Sequence, residues 1–238
     1  MFMPSTDIGQ YAWILMSGVS SEDEAVCRIC NLLDEHPPKG IAIDIGANFG
    51  IWSLPLSQHC TEVISYEPQQ CCYDLLSQTI KANDITNVQV RYKAIGAAPD
   101  IVQVPQLDIN KDANFGGVSL VKGAISGFGF MVEDDRGVHL DYVHEVQQPD
   151  APLQSVPMVT LDDEFWLIDK KITFIKMDIE GGEFNAIRGG RSTILRNKPF
   201  MFIEAFSGYV DVDELAQYIA KMGYVIDIYG PNLLCLPI

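Results

Sequence analysis

"IAIDIGANFGIWSLPL", residues 41–56, decides how this chain is read. Ile41 to Ile45 form a short apolar run carrying one carboxylate, Asp44. Gly46 and Gly50 follow, and then an apolar stretch with helical spacing. A strand, a glycine turn and a helix make the first unit of an α/β sheet, and ligands of such sheets bind at the carboxyl ends of the strands. Glycine allows positive φ and close backbone approach. Asn48, between the glycines, is a residue that tolerates the left-handed region. The amides that open the next helix provide an anion site. The string is G-A-N-F-G, which is neither the dinucleotide fingerprint G-x-G-x-x-G nor the nucleotide loop G-x-x-x-x-G-K-[ST]. Taken alone, it is also what a plain tight strand-to-helix turn requires.

Outward from this loop, β-rich runs alternate with amphipathic ones, the pattern of a sheet covered by helices. The spacing predicts a leading helix over 21–35, ended by Pro37-Pro38, and a first strand over 41–45. A helix follows at about 51–58, with Pro55 in its opening turn or limiting it. A second strand spans 61–67, a second helix 71–83 and a third strand 87–95. Alternation then lapses: residues 98–160 hold short alternating runs separated by Gly and Pro, which read as inserted hairpins. It resumes with a strand over 171–179, a helix at about 181–189, a strand over 198–206, a helix at about 211–222, and strands near 224–229 and 232–236. The expected organisation is one domain, 1–238, with a helical lead-in over 1–38 and a β-rich insertion over 98–160.

The chain has 238 residues, of which 47% are apolar, so a substantial core is available. Formal charge is −16, from 32 acidic and 16 basic residues. Such a chain repels the phosphate backbone that dominates nucleic-acid affinity, so no nucleic-acid partner is expected. No run approaches the roughly 20 apolar residues of a membrane span. The N-terminus lacks a basic region before its apolar residues and carries Asp7, so a soluble, cytoplasmic protein is expected. Cys27 and Cys30 form a lone C-x-x-C on helical spacing. No second pair follows, and they read as buried thiols of a helix, with Val26, Cys27, Cys30 and Leu33 on one side.

Glu67 ends the second strand, in "YEPQ". A carboxylate at that place can accept both ribose hydroxyls of an adenosine, in an NAD enzyme as well as in others. "DIGANFG", "YEPQ", "VTLDDEF", "FIKMDIEGGEFNAIRGG" and "FIEAF", in this order across about 41–206, together resemble the FkbM family of S-adenosylmethionine-dependent methyltransferases. "NFGGVSL" (114–120) resembles a further family segment. The resemblance implies a Rossmann-like class I methyltransferase fold: a seven-stranded, mostly parallel sheet with its last strand antiparallel and helices on both faces. It also implies roles. Asp44, Gly46, Asn48 and Gly50, with Ala47 and Phe49 between them, would surround the methionine part of S-adenosyl-L-methionine. Glu67, with Pro68 beside it, would bind the ribose. Lys93 and Ala94 would lie beside the adenine, and Asp178 would face the sulfonium and the acceptor. Asn48 stands where many class I enzymes have glycine. The chemistry agrees, because this cofactor carries a carboxylate, an ammonium and a sulfonium, and suits backbone donors together with acids.

"KMDIEGGE" crowds Asp178, Glu180 and Glu183 around a Gly-Gly turn, and Glu204 ends the next strand. Such acids can take a proton from an acceptor hydroxyl or bind a hard cation such as Mg²⁺; no metal is assigned. Glu183 is read as favouring the start of the following helix. Candidates for the general base are Asp178, Glu204, His139 and His144, with Asp178 preferred. The insertion, which carries both histidines, is read as a substrate cover, a charged hairpin or an oligomer contact. Its stretch 123–154 holds six acids, Glu133, Asp134, Asp135, Asp141, Glu145 and Asp150, against Arg136 alone. The expected activity is methyl transfer to a hydroxyl oxygen of a small molecule or sugar. The alternatives are an NAD-dependent oxidoreductase using the same loop and Glu67, and a non-catalytic cofactor-binding module.

Overall fold

The computed structural model describes residues 1–120, 127–134, 137–144, 148, 150–206, 208 and 210–238, with 127–134 and 137–144 known by their backbone pairing. In chain order the elements are α1 (Gln10–Ser17), α2 (Asp23–Glu35), β1 (Ile41–Ile45), α3 (Ser53–His59), β2 (Glu62–Tyr66), α4 (Gln70–Ala82) and β3 (Val88–Arg91). The middle of the chain holds β4 (Ala94–Ile95), β5 (Asp100–Pro105), β6 (Gly127–Asp134), β7 (Gly137–His144), β8 (Leu153–Val159) and α5 (Leu161–Phe165). The last third holds β9 (Ile172–Met177), α6 (Glu183–Gly189), α7 (Arg191–Asn197), β10 (Phe200–Glu204), α8 (Val212–Ala220), β11 (Tyr224–Tyr229) and β12 (Asn232–Pro237).

Seven strands form the main sheet in the order β11-β12-β10-β9-β1-β2-β3. Pairing is parallel from β10 through β9, β1 and β2 to β3, while β12 runs antiparallel to both β10 and β11. The two-residue period of a strand divides its side chains between two cores. Ile41, Ile43 and Ile45 of β1 pack with Leu161, Phe165, Ala186, Ile187, Ile194, Leu215 and Ile219 of α5 to α8. Ala42 joins Val26, Ile29, Cys30 and Leu33 of α2, Leu56 of α3 and Leu76 and Ile80 of α4 on the other face. Strands covered on both sides read as continuous apolar runs, which is why IAIDI and ITFIKM contain so few polar residues. The doubly covered, mostly parallel sheet agrees with the sequence reading.

Three features differ from it. The expected third strand, 87–95, is divided. β3 ends at Arg91, and Ala94 and Ile95 pair instead with β8, in a second sheet ordered β4-β8-β5. A tight turn, with the Lys93 N–H on the Arg91 carbonyl at 2.9 Å, makes the break. Helices α1, α5 and α7 were not expected. α1 has Gly9 at its N-cap and no acid in its first turn; the carboxylate that serves its opening amides, Asp7, accepts from the Tyr11 N–H at 2.7 Å from outside the usual cap position. Cys27 is exposed, whereas Cys30 is buried between Val26, Ile29 and Leu33; the apolar stripe of α2 passes one position away from Cys27. The inserted region is β-rich as read: β5 and β8 pair antiparallel, and so do β6 and β7.

Candidate active site

A cavity of about 1030 Å³ opens along the carboxyl ends of the parallel strands. Its lining follows sheet order: Lys93 and Ala94 after β3, Glu67 and Pro68 after β2, Gly46, Ala47 and Asn48 after β1, Asp178 after β9, Glu204 on β10, and Asn232 opening β12. Parallel strands put all these ends on one edge, so residues distant in sequence meet there.

The floor beneath the β1 loop is polar. Asp44 is paired in register with Ser65 of β2 on one side and Lys176 of β9 on the other. Ser53, the first residue of α3, donates its hydroxyl hydrogen to Asp44 Oδ2 at 2.5 Å and lies 2.7 Å from the Ser65 hydroxyl. Asp44, Ser53 and Ser65 are all fully buried. The Lys176 ammonium sits 3.6 Å from Asp44 and 3.4 Å from Asp178, and donates to the Gly46 carbonyl at 2.8 Å. Burial pushes the Asp44 carboxyl above its ordinary range, against the opposing charge of Lys176. Burial also works against the charge on Lys176, but the surrounding acids Asp178, Asp44, Glu22 and Glu204 hold its proton firmly. A buried charge needs such partners.

Above this floor the loop is fixed by backbone contacts. The N–H groups of Gly46 and Ala47 both donate to the Tyr66 carbonyl at 3.0 Å. Gly46 has φ +77, and a Cβ there would be driven into the carbonyl oxygen of Asp178. Asn48 has φ +48, and its N–H donates to Glu67 Oε2 at 2.7 Å, while the Gln69 N–H donates to Glu67 Oε1 at 2.8 Å. Burial raises the Glu67 carboxyl to about 7 in spite of these donors. The side-chain oxygen of Asn48 is buried without a hydrogen-bond partner among the described residues.

Across the cavity, the turn after β9 takes Glu180 to φ +53 and Gly181 to φ +100. Glu183 folds that turn: its Oε1 accepts from the N–H of Ile179 at 2.8 Å and of Gly181 at 3.3 Å. This geometry gives Glu183 a structural part and leaves Asp178 and Glu180 facing the cavity. Glu204 is hydrogen-bonded to Asp178; the neighbouring charge of Asp178, then burial, raises its carboxyl to about 10, so at neutral pH the pair shares a proton. One oxygen from each of Asp178, Glu180 and Glu204 lies within 4.8 Å of the others, a spacing that a divalent cation can bridge. Lys176 already supplies positive charge to this set, and we assign no metal there.

The segment "TLDDEF" proves to be a clamp. Thr160 caps α5 by accepting from the Asp163 N–H at 3.0 Å. Asp162 accepts from Ser192 and Thr193, at the start of α7, at 3.1 and 2.7 Å. Glu164 accepts from the Tyr66 hydroxyl at 3.0 Å, from Arg91 at 2.5 Å and from Lys93 at 2.8 Å. The Lys93 ammonium is therefore engaged by Glu164 while the residue lines the cavity.

Of the residues singled out from sequence, Gly46, Ala47, Asn48, Glu67, Pro68, Lys93, Ala94, Asp178 and Glu204 all line one cavity. Asp44, Phe49 and Gly50 do not line it. Asp44 lies under the loop, and Phe49 is buried against Phe115 at 6.1 Å between ring centroids. Gly50, at φ +95, packs against Leu76. The side chains of His139 and His144 lie outside the described residues. Sequence reading missed Lys176, which stood inside a quoted motif, and the walls contributed by the lead-in. Gln10 and Trp52 both donate to Glu22, and all three line the cavity. Asp7 accepts from the Phe115 N–H at 3.3 Å, drawing the cavity-lining stretch Asn114 to Gly117 against the N-terminal residues. No motif marks these contacts, because each joins residues far apart in the chain.

This strand order and the ligand edge above it are those of the class I methyltransferase fold. The sequence matches the methyltransferase FkbM domain over residues 44–226, and the chain belongs to that family. Among solved structures it is similar to the methyltransferase FkbM of Methylobacillus flagellatus KT, at 19% identity and a TM-score of 0.52, covering 83% of this chain. The chain spans 43% of that protein's length. A magnesium protoporphyrin IX methyltransferase of Synechocystis PCC 6803 with bound SAM aligns over 91% of this chain and 80% of its own, at 9% identity and a TM-score of 0.49. An rRNA methylase of Streptococcus thermophilus aligns over 87% and 92%, at 10% identity and a TM-score of 0.47. No curated protein matches the sequence.

Proposed function

We propose that this chain transfers the methyl group of S-adenosyl-L-methionine to a hydroxyl oxygen of a small molecule or sugar. The observation that carries the reading is the pairing, along one strand edge, of a buried ribose-type acid, Glu67, bonded to the Asn48 amide, with the Asp178–Glu204 pair across the cavity. The residues present suit the cofactor. Its ammonium and sulfonium match a pocket rich in carboxylates, and the unpartnered Asn48 oxygen offers an acceptor to a ligand donor. The cavity, at about 1030 Å³, has room for a cofactor and a second small molecule.

The cofactor supplies an activated methyl group when bound. Gly46, Ala47 and Asn48 would hold its amino-acid end, and Glu67 would accept from its ribose hydroxyls. The stem of Lys93, with Ala94, would serve its adenine end. Asp178 takes the acceptor's proton, and Glu204, carrying its own, donates to Asp178 and orients it. Fixing two reactants in line supplies on the order of 7–11 kcal/mol in well-oriented systems, and the base adds about 10²- to 10⁴-fold. The acidic balance of the chain disfavours nucleic acid as acceptor. Among the described residues no helix is long and apolar enough to cross a membrane, and a cytoplasmic location belongs to the same proposal.

Calorimetric titration with S-adenosylhomocysteine and, separately, NADH tests the reading. Stoichiometric binding of the first and none of the second is expected, followed by transfer in a screen of sugar and small-alcohol acceptors. Binding of NADH alone would overturn it in favour of an oxidoreductase. Cofactor binding without transfer to any acceptor would leave a binding module.

A further inference from the structure

Lys176 is the one buried ammonium at the junction of the cofactor loop and the acceptor-side acids among the described residues, and the roles above leave it unused. Its side chain is 5% exposed. β9 places it on the α2–α4 side of the sheet, next to Asp44 in register, while Asp178 follows two residues later at the strand end. Three contacts converge on its Nζ: the Gly46 carbonyl at 2.8 Å, Asp178 Oδ2 at 3.4 Å and Asp44 Oδ1 at 3.6 Å. Asp44 Oδ1 has no hydrogen-bond partner among the described residues, so Lys176 is its charge partner. A lysine that only offset Asp44 would need no bond to a loop carbonyl. Here the shortest contact is to the loop, and the two carboxylates are held at ion-pair distance.

We propose that Lys176 is a positioning residue that locks the Gly46 carbonyl, and with it the cofactor loop, to the Asp178 carboxylate. The physical argument is geometric. Gly46 turns at positive φ directly against the backbone of Asp178, and the loop amides of Gly46 and Ala47 are committed to Tyr66. The Gly46 carbonyl shares one peptide plane with the Ala47 N–H, so that plane is held at its N–H by the Tyr66 carbonyl and at its carbonyl by Lys176. An ammonium bonded to it from below, and drawn to Asp178 from the side, fixes both at once. The same charge offsets the repulsion of acids packed at a low-dielectric strand edge. The inference rests on the cofactor reading for its consequence and on the Gly46 contact for its geometry.

The test compares Asp44→Asn with the double variant Asp44→Asn/Lys176→Met. Removing both members of the buried pair avoids leaving Asp44 charged and alone, which would confound a single Lys176→Met change. Both variants are expected to fold, the double variant with the lower melting midpoint, because Asp178 and Glu22 lose the same charge. In protein carrying ¹³C at the glycine carbonyls, the Gly46 resonance should move upfield in the double variant only, reporting the lost ammonium donor. S-adenosylhomocysteine should bind the double variant at least tenfold more weakly than Asp44→Asn. An unmoved Gly46 carbonyl, an affinity within twofold, or a double variant that does not fold would each overturn the proposal, the last by showing Lys176 to be a core-building residue. If the wild-type chain itself fails to bind S-adenosylhomocysteine, the cofactor reading fails, and the Gly46 resonance still decides whether Lys176 holds the loop.

Discussion

The backbone N–H of Asn48 donates to the carboxylate of Glu67 at 2.7 Å, joining the glycine loop after β1 to the end of β2 across 19 residues of sequence. The loop and the acid that are proposed to hold opposite parts of one cofactor are thereby one unit. Burial leaves that carboxyl titrating near neutrality, at about 7. Its ionised form offers acceptors on both oxygens and is the stronger partner for ribose hydroxyls.

Affinity for S-adenosylhomocysteine should therefore rise between pH 6 and pH 8 as Glu67 ionises, by up to about tenfold. Glu67→Gln should abolish this step and weaken binding by at least tenfold, about 1.4 kcal/mol. Calorimetry at the two pH values measures both. A flat profile in the wild type would separate Glu67 from the ribose.

Alongside the other buried carboxyls held above their ordinary range, Asp44 and Glu67 among them, Glu204 contributes to the pH dependence of stability. Its carboxyl titrates at about 10 in the folded chain and at 4.5 ordinarily. A raised acid pKa means that the folded state keeps a proton which the unfolded state has lost, so stability is full below about 4.5 and declines as pH rises toward 10. The thermal midpoint should fall across that window. Glu204→Gln, which imitates the protonated acid, should flatten the fall, as differential scanning calorimetry would show.

Asp178→Asn keeps the side-chain shape and a hydrogen-bonding oxygen while removing the proposed base. With an acceptor in hand, turnover should fall by about 10²-fold or more while S-adenosylhomocysteine affinity stays within threefold. The reverse pattern in stopped-time assays and calorimetry would make Asp178 a binding residue.

Gly46→Ala should destabilise the fold by at least about 2 kcal/mol in urea denaturation. The left-handed backbone alone costs a non-glycine residue about 1–2 kcal/mol, and here the added methyl also meets the Asp178 carbonyl. Neither neighbour can give way without moving a sheet strand.

Asp162→Ala should cost about 1 kcal/mol, as for a lost helix cap, since its carboxylate serves the amides of Ser192 and Thr193. S-adenosylhomocysteine affinity should be unchanged. Loss of affinity would show that the clamp of α5 also sets the cavity.

Much of the sheet was legible because strands covered on both faces leave continuous apolar runs between turn signals. β1, β2, β9, β10 and β12 each coincide with such a run, β11 alternates as a half-exposed edge strand, and α2 and α8 were marked by acids in their first turn. α5 has such acids too, but at five residues it is too short to show helical periodicity. α1 was not marked, because Asp7, which serves its first turn, stands two residues before the N-cap Gly9 and outside the usual cap pattern. The split after Arg91 was not legible either, because what ends that strand is a tight turn beside Glu164, more than seventy residues away. "TLDDEF" and "IEGGE" were visible as strings, yet their division into clamp and cavity residues depended on contacts with α7 and with the turn itself.

By itself, the sequence determined the sheet and the loop at its ligand edge, since period-two burial and glycine conformations are local properties. It also determined that acids would gather at the strand ends. Only the tertiary structure decided which of them face a cavity. It set Asp44 beneath the loop on Ser53 and Lys176, hydrogen-bonded Glu204 to Asp178, and placed Glu22 from the lead-in on the same wall. Those outcomes arise from charges brought within a few ångströms in a poorly screened interior, where the partner of a residue is fixed by strand register and packing and leaves no trace in the spacing of the chain.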